Sequence, residues 1–154
     1  MTANGDDFFD ARVRGAIVAS IRSRGTVPTI AEVSADLHER EDAVRAAFDR
    51  MAAAHVFIPK LRSSEILSYN PFATEGTDFR VRCAGHEWWA LCGWDALGIP
   101  AALEAPGTIE SSCSDCHEPI SIDARGDGTA TSPTGAVLRV GVRAIDFWKD
   151  IYFT

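Results

Sequence analysis

The sequence predicts an α+β fold: an N-terminal three-helix, winged-helix-like module, then a small mixed β-sheet core with a central helix. Three observations point there. Apolar residues recur at helical spacing through the first third of the chain. A Thr-x-x-Glu capping box opens a second helix. From Thr77 onward, short apolar runs separated by Gly, Pro and Asn replace the helical pattern.

The elements follow in order. Phe9, Val13, Ile17 and Ile21 share one helical face, and that helix stops near Arg24-Gly25. Thr29 and Glu32 form the capping box of a short helix carrying Ile30, Val33 and Leu37. A third helix runs from about Glu41 to Ala54, with Val44, Ala47, Phe48 and Met51 inward. His55–Ile58 reads as a strand closed by Pro59, and strands near Glu65–Tyr69 and Asp78–Arg82 form a wing. Asn70-Pro71 and Glu75-Gly76 mark turns. After a strand over Phe79–Cys83 and Gly85, the segment Trp88–Leu97 reads as a helix ended by Gly98 and Pro100. Strands are expected at Thr108–Ser112, Pro119–Ile122 and Ala136–Val142, with a polar Gly-rich loop before the last. A final strand is expected over the closing residues DFWKDIYFT.

The 154 residues suit one domain or two small modules sharing a core, divided here into 1–76 and 77–154. A hydrophobic content of 46% is enough to bury such a core. The net charge of −7, from 22 acids and 15 bases, disfavours nucleic acid as a partner. The third helix balances Arg40, Arg45 and Arg50 against Glu39, Glu41, Asp42 and Asp49, so it reads as scaffold rather than DNA reader. The N-terminus has no apolar signal core, and no stretch approaches the roughly 18 apolar residues of a membrane span. A cytoplasmic protein without a membrane partner is expected. Its four cysteines are then reduced thiols, metal ligands or nucleophiles rather than disulfides.

Two constellations carry candidate chemistry. Cys92 and Asp95 are three apart, which on a helix places both on one face. Trp88, Trp89 and Trp94 would surround them, desolvating the pair and raising the carboxyl pKa so that Asp95 could serve as a general acid. A place in the first turns of a helix would favour the Cys92 thiolate. The alternative is that Cys92 is a small buried hydrophobe and Asp95 a helix-face acid. The second constellation, Cys83-x-x-His86 with Cys113-x-x-Cys116, has the makings of a Cys3His structural zinc site.

The stretch from Tyr69 to Ile122 resembles the core of the alkylmercury (organomercurial) lyase family. The matching pieces are YNPF with a following Thr77 and FRV, then LCGWDALGIPAAL, then SSCSDCHEPISI. The winged-helix-like N-terminus also fits. The resemblance implies a cytosolic enzyme that cleaves carbon–mercury bonds by protonolysis, giving a hydrocarbon and mercuric ion. It implies that Cys92 and Asp95 are the catalytic and mercury-binding pair. The family cysteine usually considered structural matches Cys113. No organic cofactor is implied. The partners implied are an organomercurial substrate and thiols or a mercuric reductase that take the product; a monomer or homodimer is expected. The family's second active-site cysteine would fall immediately after Thr154, so the core is expected to be cut short at its C-terminal end and its turnover impaired. The alternative function is a zinc-stabilised, winged-helix binding or regulatory module without catalysis.

Overall fold

A computed structural model of the chain describes residues 5–132, 135 and 137–152. Helix α1 (Gly5–Arg24), α2 (Ile30–Leu37) and α3 (Glu41–Ala53) form the N-terminal layer. Each follows from its sequence. Val13, Ile17 and Ile21 of α1 are buried at helical spacing. Both halves of the Thr29/Glu32 capping box are formed at α2, and Val44, Ala47, Phe48 and Met51 line the buried face of α3. Arg50 of α3 pairs with Asp10 of α1 at 2.5 Å, and Arg40 pairs with Asp42 at 2.6 Å. Two of the three arginines in and beside α3 are therefore already matched to acids.

Among the described residues eight strands follow: β1 (Ile58–Pro59), β2 (Ile66–Tyr69), β3 (Phe72–Ala73), β4 (Phe79–Cys83), β5 (His86–Ala90), β6 (Gly107–Ser112), β7 (Pro119–Ala124) and β8 (Ala130–Ser132). They form one sheet in the order β1-β2-β3-β5-β4-β6-β7-β8. Helix α4 (Gly93–Leu103) is inserted between β5 and β6 and packs on β4, β5 and β6. One hydrophobic core joins the helical layer to the sheet, running from Val13 and Phe48 through Phe57, Phe72 and Trp88 to Ile99 and Ile109.

Several expectations are corrected. The sheet is antiparallel at every pairing among the described residues, not mixed. Strand β2 pairs with β1 and β3, so residues 65–69 and 78–82 do not form a wing together. His55 to Phe57 turn rather than extend, with His55 at φ 59°, and only Ile58 and Pro59 join the sheet. Trp88 to Ala90 belong to a strand: Trp88 and Ala90 are buried while Glu87 is exposed, a two-residue period that the aromatic richness hid. The hairpin Ala84-Gly85, with φ 53° and 79°, sets that strand's register through Cys83 opposite His86. Helix α4 passes Gly98 and Pro100 and ends on Glu104 in the left-handed region. Pro100 removes a single intrahelical donor, and its full burial beside Ile99 outweighs that loss. Gly98 serves packing instead of termination, since a Cβ there would sit 3.2 Å from Pro71.

The Gly-rich loop contains the unexpected β8, paired to β7. Residues 137–142 make no strand, and Ala136 lies outside the described residues. The closing segment forms a 3₁₀-helix over Ala144–Lys149 rather than a strand. It is anchored through Trp148, stacked 4.0 Å from His55, and through Tyr152, whose hydroxyl donates to Pro59 O at 2.8 Å. Phe153 and Thr154 lie outside the described residues.

Candidate active site

Strand β5 delivers the chain to the N-terminus of α4, and Cys92 caps that helix in an extended conformation (φ −149°, ψ 173°). Asp95 is therefore the third helical residue, one turn on, where its carboxyl faces back toward the cap. Cys92 and Asp95 are both half-buried, and their side chains act on each other's ionisation: the carboxyl holds the proton on the thiol, and the thiol favours the ionised carboxyl. Backbone N–H groups of Asp95 and Trp94 face the sulfur without closing a full capping bond.

Burial raises the Asp95 pKa above its ordinary 3.8, opposed by the Cys92 hydrogen bond. Burial also raises the Cys92 thiol above its ordinary range, and the adjacent Asp95 charge adds to that. The helix N-terminus pulls the other way, as expected from sequence, but desolvation wins. Both shifts favour the proton-carrying form of each group.

Two of the three tryptophans expected to enclose the pair do not. Trp94 is 68% exposed. Trp88 points into the core against Phe72 and donates to Cys83 O at 3.3 Å, at the far end of the hairpin. Phe79 and Leu138 lie against Gly93 in the first turn of α4: a Cβ there would sit 2.6 Å from Leu138 Cδ1 and 3.4 Å from the Phe79 ring.

Thr77 acquires a role that residue type alone did not disclose. Its hydroxyl donates to Ala90 O at 2.6 Å and accepts from Phe79 N–H at 3.1 Å, clamping the end of β5 two residues before Cys92. Ser111, on β6, has a buried hydroxyl with no partner among the described residues.

The four residues of the alternative zinc site are not brought together. Cys83 opposes Gly107 on β6, whereas Cys113 follows the other end of that strand, about 20 Å away for six extended residues. Among the described residues, no group of three or more His, Cys, Asp or Glu side chains could hold a metal. Cys83 is a core residue, buried with its thiol on Ala105 O at 3.4 Å and pushed up in pKa by that burial. His86 packs on the turn after α1: a Cβ on Gly25 would lie 2.2 Å from His86 Nδ1. Cys113 and Cys116 are close to each other, and the N–H groups of Cys116 and Asp115 hold the Cys113 thiol below its ordinary range. An open depression of about 810 Å³ against Cys83 and His86 is likewise remote from Cys92. No described helix is long and apolar enough to cross a membrane.

Comparison with known proteins fits this geometry. No curated protein matches the chain. Among solved structures, the crystal structure of the mercury-bound form of MerB2 is similar, with a TM-score of 0.60 and 21% identity over 81% of this chain and 59% of that one. This chain therefore spans 59% of the length of that relative. The family model for MerB, alkylmercury lyase, matches residues 72–153, taking in β3 to β8 and the whole Cys92–Asp95 turn. With more than half its length under that model, and the thiol–carboxyl pair inside the matched part, the chain belongs to the alkylmercury lyase family.

Proposed function

We propose that the protein cleaves carbon–mercury bonds by protonolysis, with Cys92 taking the metal and Asp95 handling the proton. The observation that carries this reading is the half-buried thiol–carboxyl pair at the start of α4, within the family match. The relative that carries mercury in its crystal structure supports the choice of substrate.

An organomercurial is a soft electrophile, and sulfur is its natural ligand. The Cys92 thiol proton passes to the neighbouring Asp95 as the sulfur–mercury bond forms, and the ligand displaced from mercury leaves. A second thiolate on mercury then enriches the carbon, and the protonated Asp95 delivers its proton there. The electron pair of the carbon–mercury bond becomes the new carbon–hydrogen bond. Hydrocarbon leaves, and mercuric ion stays on sulfur until another thiol or a mercuric reductase takes it. Burial of Asp95 serves this sequence because it favours the proton-carrying form.

In the same reading, residues 1–76 act as a scaffold that does not bind DNA, and residues 77–154 carry the chemistry.

Release of benzene from phenylmercury in excess thiol is the test, the solution thiol supplying the second sulfur. Cys92→Ser should abolish release. Asp95→Asn should keep mercury bound while release slows by about 10²- to 10⁴-fold, the usual contribution of a positioned acid. Unchanged release by Asp95→Asn would remove the carboxyl from the mechanism.

A further inference from the structure

The turn joining β6 to β7 carries two thiols that the Cys92 site does not use. It is closed by Cys113 N–H to Glu118 O at 2.9 Å and by His117 N–H to Cys113 O at 3.0 Å, with His117 at φ 58°. This single helical turn folds Cys116 back onto Cys113. The three-residue spacing within this closed turn sets the two thiols on the same side of it, and the backbone N–H groups of Cys116 and Asp115 lower the Cys113 thiol pKa. Cys116 is exposed, Cys113 half-buried, and both are free thiols.

The arrangement selects among metals by coordination number. Zinc seeks four donors, and among the described residues no third His, Cys, Asp or Glu joins this pair. A soft cation satisfied by two sulfurs in line has no such need, and mercuric ion is that kind of cation. We propose that Cys113 and Cys116 form a chelating dithiol site for mercuric ion, separate from Cys92. Each thiol gives up its proton as its sulfur–mercury bond forms. The two small thiols that brought the ion leave protonated, and nothing is oxidised or reduced.

Position adds a role. Strands β5 and β6 flank β4 on either side. Ala90 opposes Phe79 and Glu110 opposes Arg80, so Cys92 and Cys113 emerge at the same end of the sheet. Two strand spacings separate them laterally, about 10 Å. An ion released at Cys92 meets the dithiol on the way out. That hand-over rests on the proposed cleavage; capture of mercuric ion by the dithiol does not.

Chelation makes the site testable. Once one sulfur holds the ion, the second faces it at an effective concentration on the order of mM or more. A competing monothiol well below that level does not displace it. The reduced full chain is mixed with mercuric chloride in micromolar glutathione and examined by intact-mass spectrometry, with circular dichroism to check the fold. Cys92→Ser should retain one mercury with two protons lost and no glutathione attached. Cys92→Ser/Cys116→Ser should hold mercury only as a mixed glutathione adduct, and release it at least about tenfold more readily. Cys92→Ser/Cys113→Ser should behave the same way. Because mercuric chloride is the probe, the result does not depend on whether the protein cleaves organomercurials. Loss of the bare adduct in Cys92→Ser, or its persistence in both double variants, would overturn the site. Equal retention of zinc by Cys92→Ser would overturn the two-coordinate selection.

Discussion

Replacing Gly25 with alanine tests how the helical layer is fixed to the sheet that bears Cys92. Gly25 ends α1 at φ +70°, and the added Cβ would lie 2.2, 2.4 and 2.7 Å from three atoms of the His86 ring. Ordinary contact begins at 3.4 Å, so the ring must retreat by more than an ångström. The left-handed backbone costs an L-residue about 1 kcal/mol, and displacing the packed ring adds about 2 kcal/mol. A loss of about 3 kcal/mol is expected, a drop in Tm of about 6–12 °C for a chain of this size. Urea unfolding followed by tryptophan fluorescence measures it. Cys92 alkylation should be unchanged under native conditions, because His86 lies at the other end of β5 from Cys92. The decisive measurement is a double-mutant cycle with His86→Ala. Removing the ring abolishes the clash, so the double variant should be more stable than the two single losses predict, by about 1–2 kcal/mol. Strict additivity would refute the contact, and with it the assignment of His86 to packing.

Three further outcomes follow from the same structure. Thr77→Val should cost about 1–2 kcal/mol by breaking the clamp on Ala90, and should speed native-state alkylation of Cys92 by loosening its approach strand. Ser68→Ala should cost about 1 kcal/mol, since that fully buried hydroxyl bonds Asn70 Oδ1 at 2.9 Å, whereas Ser111→Ala should be neutral or stabilising because its hydroxyl has no described partner. Asp95 binds its proton more tightly folded than unfolded, so in mercury-free protein it contributes a fall in stability as pH rises from about 3.8 through its raised folded pKa. Asp95→Asn should remove that fall and stabilise the neutral-pH protein relative to wild type. A variant whose denaturant midpoint tracks wild type across this range would contradict the buried-carboxyl picture.

Local signals carried the helical third of the chain. The spacing of Val13, Ile17 and Ile21, and the Thr29–Glu32 box, encode helices without help from distant residues. The pairing of Cys92 with Asp95 was legible for the same reason, since three residues on a helix is a short-range relation. Strand β5 was not, because Trp88, Trp89 and Ala90 are apolar on both faces and period two shows only in their burial. The pKa balance at Cys92 was also hidden: a helix N-terminus is visible in sequence, but the desolvation that outweighs it depends on how the folded chain covers the cap. The zinc grouping failed on distance. Residue spacing said nothing of Cys83 and Cys113 lying at opposite ends of β6. Thr77 could be quoted in a motif, yet its bond to Ala90 spans thirteen residues and needed the folded hairpin.

The burial of Cys83 gives the molecule an internal clock for its own opening. Cys83 is only 3% exposed and sits within the core shared by helices and sheet, while Cys116 is open to solvent. Reagent reaches so buried a thiol when the packing around it opens, so its labelling rate counts excursions of the core. When reclosing outpaces labelling, the ratio of that rate to the rate of an unfolded thiol is the open-state population. With Cys92 at intermediate depth, the thiols form a graded series. A substitution that frays only the start of α4 would accelerate Cys92 alone, and one that weakens the whole fold would accelerate both.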